Sequence, residues 1–113
     1  MQKIKVVFFG TEQFAVTILE GLLRCPFVQI VGVITQPDQP VGRKQILTPP
    51  PTKIWTEHHN IPVFQPEKLK EFDYSSLECD INIVAQYGKI IPNHIIEAPQ
   101  YKTLNVHTSP LLS

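Results

Sequence analysis

Several common signatures are missing from this chain, and each gap removes a class of function. Cysteine is scarce: only Cys25 and Cys79 occur, far apart and without metal-ligand spacing. A reducing, cytoplasmic setting is the simple expectation, with no disulfide framework and no metal. No stretch approaches the ~20 apolar residues of a membrane span. The apolar run Val6 to Phe9 is shorter than the roughly 7–15 residues of a secretory leader's apolar region. An excess of one charge is missing too, since Lys+Arg 10 against Asp+Glu 10 leaves a formal net charge of +0. A globally basic nucleic-acid binder is therefore not indicated, although a local basic loop stays open. Only Gly10 follows the first apolar run, with no G-x-G-x-x-G and no phosphate-loop lysine, so NAD, FAD and ATP are not expected. No G-x-S-x-G elbow supports a hydrolase. His58 and His59 are consecutive, and consecutive residues of a helix do not share a face, which argues against a metal pair.

A hydrophobic share of 42% is enough for a core and rules against disorder. Eleven prolines, roughly twice the usual share of about 5%, stand at element borders and in Pro49-Pro50-Pro51. Lys3 to Phe9 reads as a first strand, buried on both faces in its second half. Thr11 is placed to N-cap a helix, and Glu12 suits the positive end of that helix's dipole. Phe14, Ala15, Ile18, Leu19, Leu22 and Leu23 form its apolar stripe, and Cys25-Pro26 stops it. Val28 to Ile34 is a second, doubly covered strand. Thr35 to Pro51 reads as a long irregular stretch, and loops of that length are usually functional or disordered. Thr52 to His59 predicts a short helix with Ile54 and Trp55 inward. Ile61 to Phe64 predicts a strand that Pro62 confines to an edge. One or two helical turns are expected over Pro66 to Phe72, a strand over Asp80 to Ala85, a short helix over His94 to Glu97 and a last strand over Thr103 to Val106.

This alternation argues an α/β fold with a doubly wound parallel sheet. The expected strand order is 61–64, 28–34, 4–9, 81–85, 103–107. Ligands of such sheets bind outside the strand carboxyl ends near the switch point. The segments there are Gly10-Thr11, Thr35-Gln36, Gln86-Tyr87-Gly88 and His107-Thr108-Ser109, all small or polar. Asn105 and His107 share one side of the last strand by period-2 alternation. A carboxamide beside an imidazole can polarise a carbonyl and hold the oxyanion formed when it is attacked. An arbitrary Asn-x-His more often satisfies loop backbone groups, and only the company it keeps here lifts the catalytic reading.

Five stretches resemble the methionyl-tRNA formyltransferase family, in order and over essentially the whole chain. They are Phe9-Gly10-Thr11-Glu12-Gln13-Phe14-Ala15-Val16; Thr35-Gln36-Pro37-Asp38 with Gly42-Arg43-Lys44 and Leu47-Thr48-Pro49; Ile61-Pro62-Val63-Phe64-Gln65-Pro66; Val84-Ala85-Gln86-Tyr87-Gly88-Lys89-Ile90-Ile91-Pro92; and Asn105-Val106-His107-Thr108-Ser109. The resemblance implies a Rossmann-like formyltransferase fold, incomplete at its C-terminal end: residues 1–113 as the N-terminal part of the catalytic domain, without its remainder or a C-terminal β-barrel. It implies formyl transfer from 10-formyltetrahydrofolate to the amino group of initiator methionyl-tRNA by a cytoplasmic enzyme, monomeric at full length. Asn105 and His107 would be catalytic. The aspartate that orients the histidine would fall beyond Ser113, so the isolated chain would be inactive. Folate would lie against Gln86, Tyr87, Gly88, Lys89, Ile90, Ile91 and Pro92, and against Ser109, Pro110, Leu111 and Leu112. Arg43 and Lys44 would be either a tRNA contact or a solvated basic tip. A folate-dependent sugar N-formyltransferase and a non-catalytic folate- or partner-binding domain are the alternatives.

Overall fold

The computed structural model describes residues 2–106. Strand β1 (Ile4–Gly10) is its centre, buried continuously from Val6 to Gly10. A strand whose successive side chains are all apolar can be satisfied only by cover on both faces. Helix α1 (Gln13–Arg24) leads to β2 (Val28–Ile34), which pairs parallel to β1. Then come β3 (Gln39–Val41), β4 (Ile46–Thr48), α2 (Pro51–His58) and β5 (Val63–Phe64). Two 3-10 turns, Leu69–Glu71 and Tyr74–Leu77, precede β6 (Ile81–Ala85), α3 (Asn93–Ile96) and β7 (Thr103–Asn105). The five-stranded sheet has the order β5-β2-β1-β6-β7, every neighbouring pair parallel, as the alternating pattern predicts.

The two faces of β1 feed two separate cores. Val6 and Phe8 pack with Ala15, Val16, Leu19, Val33, Trp55, Ile83 and Ala85, under α1 and α2. Val7 and Phe9 pack with Ile34, Leu69, Tyr74, Tyr87 and Ile95, under the 3-10 turns and α3. Burial of each Val, Leu, Ile or Phe among them contributes about 1.5–3 kcal/mol, so the strand order is held from both sides.

Four local expectations differ from what is observed. Residues 39–48 are not irregular but form the antiparallel hairpin β3-β4, with Val41 opposite Ile46 and Gln39 opposite Thr48. Its strands are three residues long and carry Pro40, so no alternating pattern announces them. The N-cap of α1 is Glu12, not Thr11, and no side chain caps the helix, because the Thr11 hydroxyl bonds elsewhere. Ile54 is 45% exposed while Trp55 is 8% exposed; adjacent helix positions lie about 100° apart, so only one of them faces the core. Leu23 likewise stands 48% exposed at the edge of the α1 stripe, and Val16 takes its place inside. No helix among the described residues is long and apolar enough to cross a membrane.

Candidate functional site

The carboxyl ends of the five strands deliver Gly10, Thr35, Gln65, Gln86 and Val106 to one rim. Backbone bonds stitch neighbours there: Thr11 N donates to Gln86 O at 3.0 Å, Thr35 N to Phe64 O at 2.9 Å and Val106 N to Val84 O at 2.8 Å. The amide of Thr52 at the start of α2 reaches Thr11 O at 3.4 Å. Gly10 makes this closure possible. A methyl group on it would stand 2.6 Å from Ala15 Cβ and 2.8 Å from Ala85 O, the latter immovable backbone of β6.

Side chains then fasten the turns to one another. The Thr11 hydroxyl donates to Tyr87 O at 2.8 Å, and Gln36 Nε2 donates to the same carbonyl at 2.7 Å. Gln65 Nε2 donates to Gln36 O at 3.1 Å and to Asp38 Oδ1 at 2.7 Å. Asp38 Oδ1 lies 3.5 Å from Lys53 Nζ. Nothing in sequence spacing points to these bonds, which join positions up to 76 residues apart. The available signal was weaker: Gln65 is an uncharged amide directly after β5, and Gln36 one that stands two residues past the end of β2.

Of the residues expected to hold a ligand, Gln86, Gly88, Lys89 and Ile90 are exposed on the turn after β6, with Ile90 93% exposed. Tyr87 is different. Its ring is 2% exposed and meets Phe9 edge-on at 5.6 Å, so only its backbone faces the rim. Burial pushes its phenol up to about 12, and its hydroxyl has no partner among the described residues. Ile91 packs partly against the Phe9 core. A cleft of about 770 Å³ opens beside the turn, lined by Glu67 to Glu71, Lys89, Ile90 and Pro92. Lys89 Nζ donates across it to Glu67 O at 3.1 Å. Leu69, Ile90 and Pro92 give this cleft apolar surface among five charged side chains, a lining that suits a flat ligand with a polar edge.

Asn105 is exposed at the end of β7, paired with Val84 one step before the turn. His107, Ser109, Pro110, Leu111 and Leu112 lie outside the described residues. Arg43 and Lys44 sit at the tip of the β3-β4 hairpin, where Gly42 and Gln45 take φ of 75° and 52° to close the turn. Along that arm Val41, Ile46 and Leu47 are 48%, 61% and 66% exposed. A smaller cleft of about 220 Å³ lies between the arm and the rim, lined by Thr11, Glu12, Gln36 and the 49–51 prolines. No cluster of three or more His, Cys, Asp or Glu able to hold a metal occurs among the described residues.

Residues 2–112 match the formyl transferase family. The chain is 50% identical over 112 residues to a methionyl-tRNA formyltransferase of Bacillus cereus (strain B4264), covering 96% of this chain and 35% of that protein. It is 49% identical to the enzyme of that name from Bacillus mycoides (strain KBAB4), with the same coverage of both chains. The chain thus spans about 35% of the length of these curated relatives. With a doubly wound sheet whose strand ends converge on one rim, and a match that runs through all of them, the chain belongs to the formyl transferase family.

Proposed function

We propose that the protein transfers a formyl group from 10-formyltetrahydrofolate to the amino group of methionyl-tRNA, in the cytoplasm, and that residues 1–113 are the N-terminal part of its catalytic domain. The observation that carries this reading is the juxtaposition of Asn105 with the exposed turn 86–90 at the end of one parallel pair, β6 and β7. A formyl donor lying against that turn brings its carbonyl to the strand end that bears the carboxamide. Attack by the amine on the formyl carbon puts negative charge on the formyl oxygen. Asn105 would donate a hydrogen bond to that oxygen and His107 would stabilise or protonate it. The attacking nitrogen gives up a proton, and the intermediate collapses by breaking the bond to N10 of the folate, which takes a proton up as it leaves. Gln86, Gly88, Lys89, Ile90, Ile91 and Pro92 would cradle the pterin, with Tyr87 contributing only its backbone. Ser109, Pro110, Leu111 and Leu112 would complete that pocket. Arg43 and Lys44, at the tip of an arm that projects from the same rim, would meet acceptor phosphates.

The test is formyl transfer measured in the protein that carries this chain, with methionyl-tRNA and with an amino-sugar nucleotide as rival acceptors. Asn105→Ala should lower kcat by about 10²–10³, the usual effect of losing one oxyanion donor. Transfer only to the sugar, or an Asn105→Ala enzyme with unchanged kcat, would contradict the assignment.

A further inference from the structure

Gln36 reaches three elements at once. Its Nε2 donates to Tyr87 O at 2.7 Å, its backbone N–H points to Thr11 Oγ1 at 3.4 Å, and its carbonyl accepts from Gln65 Nε2 at 3.1 Å. Two groups in this set are saturated. A side-chain amide nitrogen has two hydrogens, and Gln65 spends both on Gln36 O and Asp38 Oδ1. A carbonyl has two lone pairs, and Tyr87 O uses them on Thr11 and Gln36. Because the peptide is planar, clamping the Tyr87 carbonyl also fixes the Gly88 N–H, which must point the opposite way. That N–H belongs to an exposed glycine at φ 89°, with no backbone partner among the described residues. Gln36 Nε2 sits where a methyl on Gly88 would stand, so the glycine leaves the amide its place. The far end of the chain of bonds is Asp38, which directly precedes β3 and also faces Lys53 of α2.

We propose that Gln36 is a positioning residue that sets the pose of the 86–92 turn, and that Gln65 and Asp38 carry its hold back to the base of the β3-β4 arm. The turn that receives the donor and the arm that receives the acceptor are then one connected unit. The identity of those two ligands rests on the formyl-transfer reading above; the latch itself rests on the bonds.

Backbone amide NMR relaxation in the protein carrying this chain, with no ligand added, tests the latch directly. Gln36→Ala and the isosteric Gln36→Glu should each lower the order parameters of residues 88–91 from about 0.85, typical of rigid backbone, to about 0.6 or below. Those of Val6 to Phe9 and Ile81 to Val84 should keep wild-type values. Gln65→Ala should also loosen 88–91, and the double variant with Gln36→Ala should match Gln36→Ala alone. Unchanged order parameters at 88–91 overturn the proposal, as does a uniform fall across the sheet or a double variant that loosens the turn further than Gln36→Ala alone. A parallel kinetic measurement separates the two claims. Gln36→Ala should raise the KM for 10-formyltetrahydrofolate while leaving kcat nearly unchanged. A wild-type protein indifferent to folate, with 88–91 still loosened in the variants, removes formyl transfer and leaves the latch. Folate binding that Gln36→Ala does not alter, with 88–91 as rigid as in wild type, removes the latch and leaves formyl transfer.

Discussion

The two ends of β6 carry polar networks of similar chemistry and opposite purpose. At its amino end Asn82 is fully buried; its Nδ2 donates to Ile95 O at 2.8 Å and Thr103 Oγ1 at 3.2 Å, and its Oδ1 accepts from the Tyr74 hydroxyl. Tyr74 also meets Cys79 Sγ at 3.1 Å, and burial first, then that contact, raises the phenol. Burial likewise raises the Cys79 thiol, which argues against a reactive thiolate there. At the carboxyl end the amides of Gln36 and Gln65 fasten turns to one another and leave exposed backbone at the lip. The first network closes on itself and ties α3 to the sheet. The second ends in groups with capacity to spare. The same contrast separates the clefts: about 410 Å³ beside Tyr74, Cys79 and His94, lined by no expected ligand residue among those described, and about 770 Å³ against Lys89, Ile90 and Pro92.

Substitutions at the two ends should therefore divide stability from binding. The largest loss is expected at the closed end. Asn82→Leu strips partners from Tyr74, Ile95 and Thr103 in the interior and should destabilise by about 2–4 kcal/mol, read from the urea midpoint. Gly10→Ala should cost about 1–3 kcal/mol by overpacking. Because its methyl presses on Ala85 O, it should also weaken donor binding, whereas Asn82→Leu that remains folded should not. An Asn82→Leu protein with wild-type stability and lost folate binding would invert the comparison.

Tyr87 sharpens it on a smaller scale. Its folded-state pKa of about 12 lies above the ~10 of an unfolded tyrosine. Between those values the folded chain keeps a proton that the unfolded chain has released. Stability is whole below about pH 10 and falls as pH climbs toward 12. Tyr87→Phe removes this contribution and an orphaned hydroxyl, so it should lose less stability than wild type over that range in chemical denaturation at stepped pH. The smallest stability effect belongs to the arm. Arg43→Ala should leave the urea midpoint within about 0.5 kcal/mol of wild type, while kcat/KM for methionyl-tRNA falls about tenfold through a lost phosphate contact. Unchanged kcat/KM would remove the arm from recognition.

Strand order and the convergence of turns could be read from the chain because they follow from long apolar runs and their spacing. Val6 to Phe9 demanded cover on both faces, and Pro62 marked an edge. The hairpin could not be read, because three-residue strands interrupted by Pro40 carry no period. Thr11 stood where an N-cap belongs, and its hydroxyl was claimed by Tyr87 O across the sheet, a tertiary bond that no local pattern encodes. The inward turn of the Tyr87 ring was hidden for the same reason. A tyrosine in a polar turn reads as a ligand contact until Phe9 is placed behind it. The place of Asn105 on a last strand followed from the β-capable run Thr103 to Val106, whereas Gln36 became significant only once Gly88 was seen to leave room for it.

The central claim is that the carboxyl rim, not the amino-end cleft, receives the one-carbon donor. Backbone amide shifts of the isotope-labelled protein, followed during titration with a non-transferable 10-formyltetrahydrofolate analogue, test it most directly. The account predicts perturbations centred on residues 86–92 and Asn105, with Tyr74, Cys79 and Asn82 unmoved. Shifts confined to Tyr74, Cys79 and their neighbours, or no shifts at millimolar analogue, would contradict it.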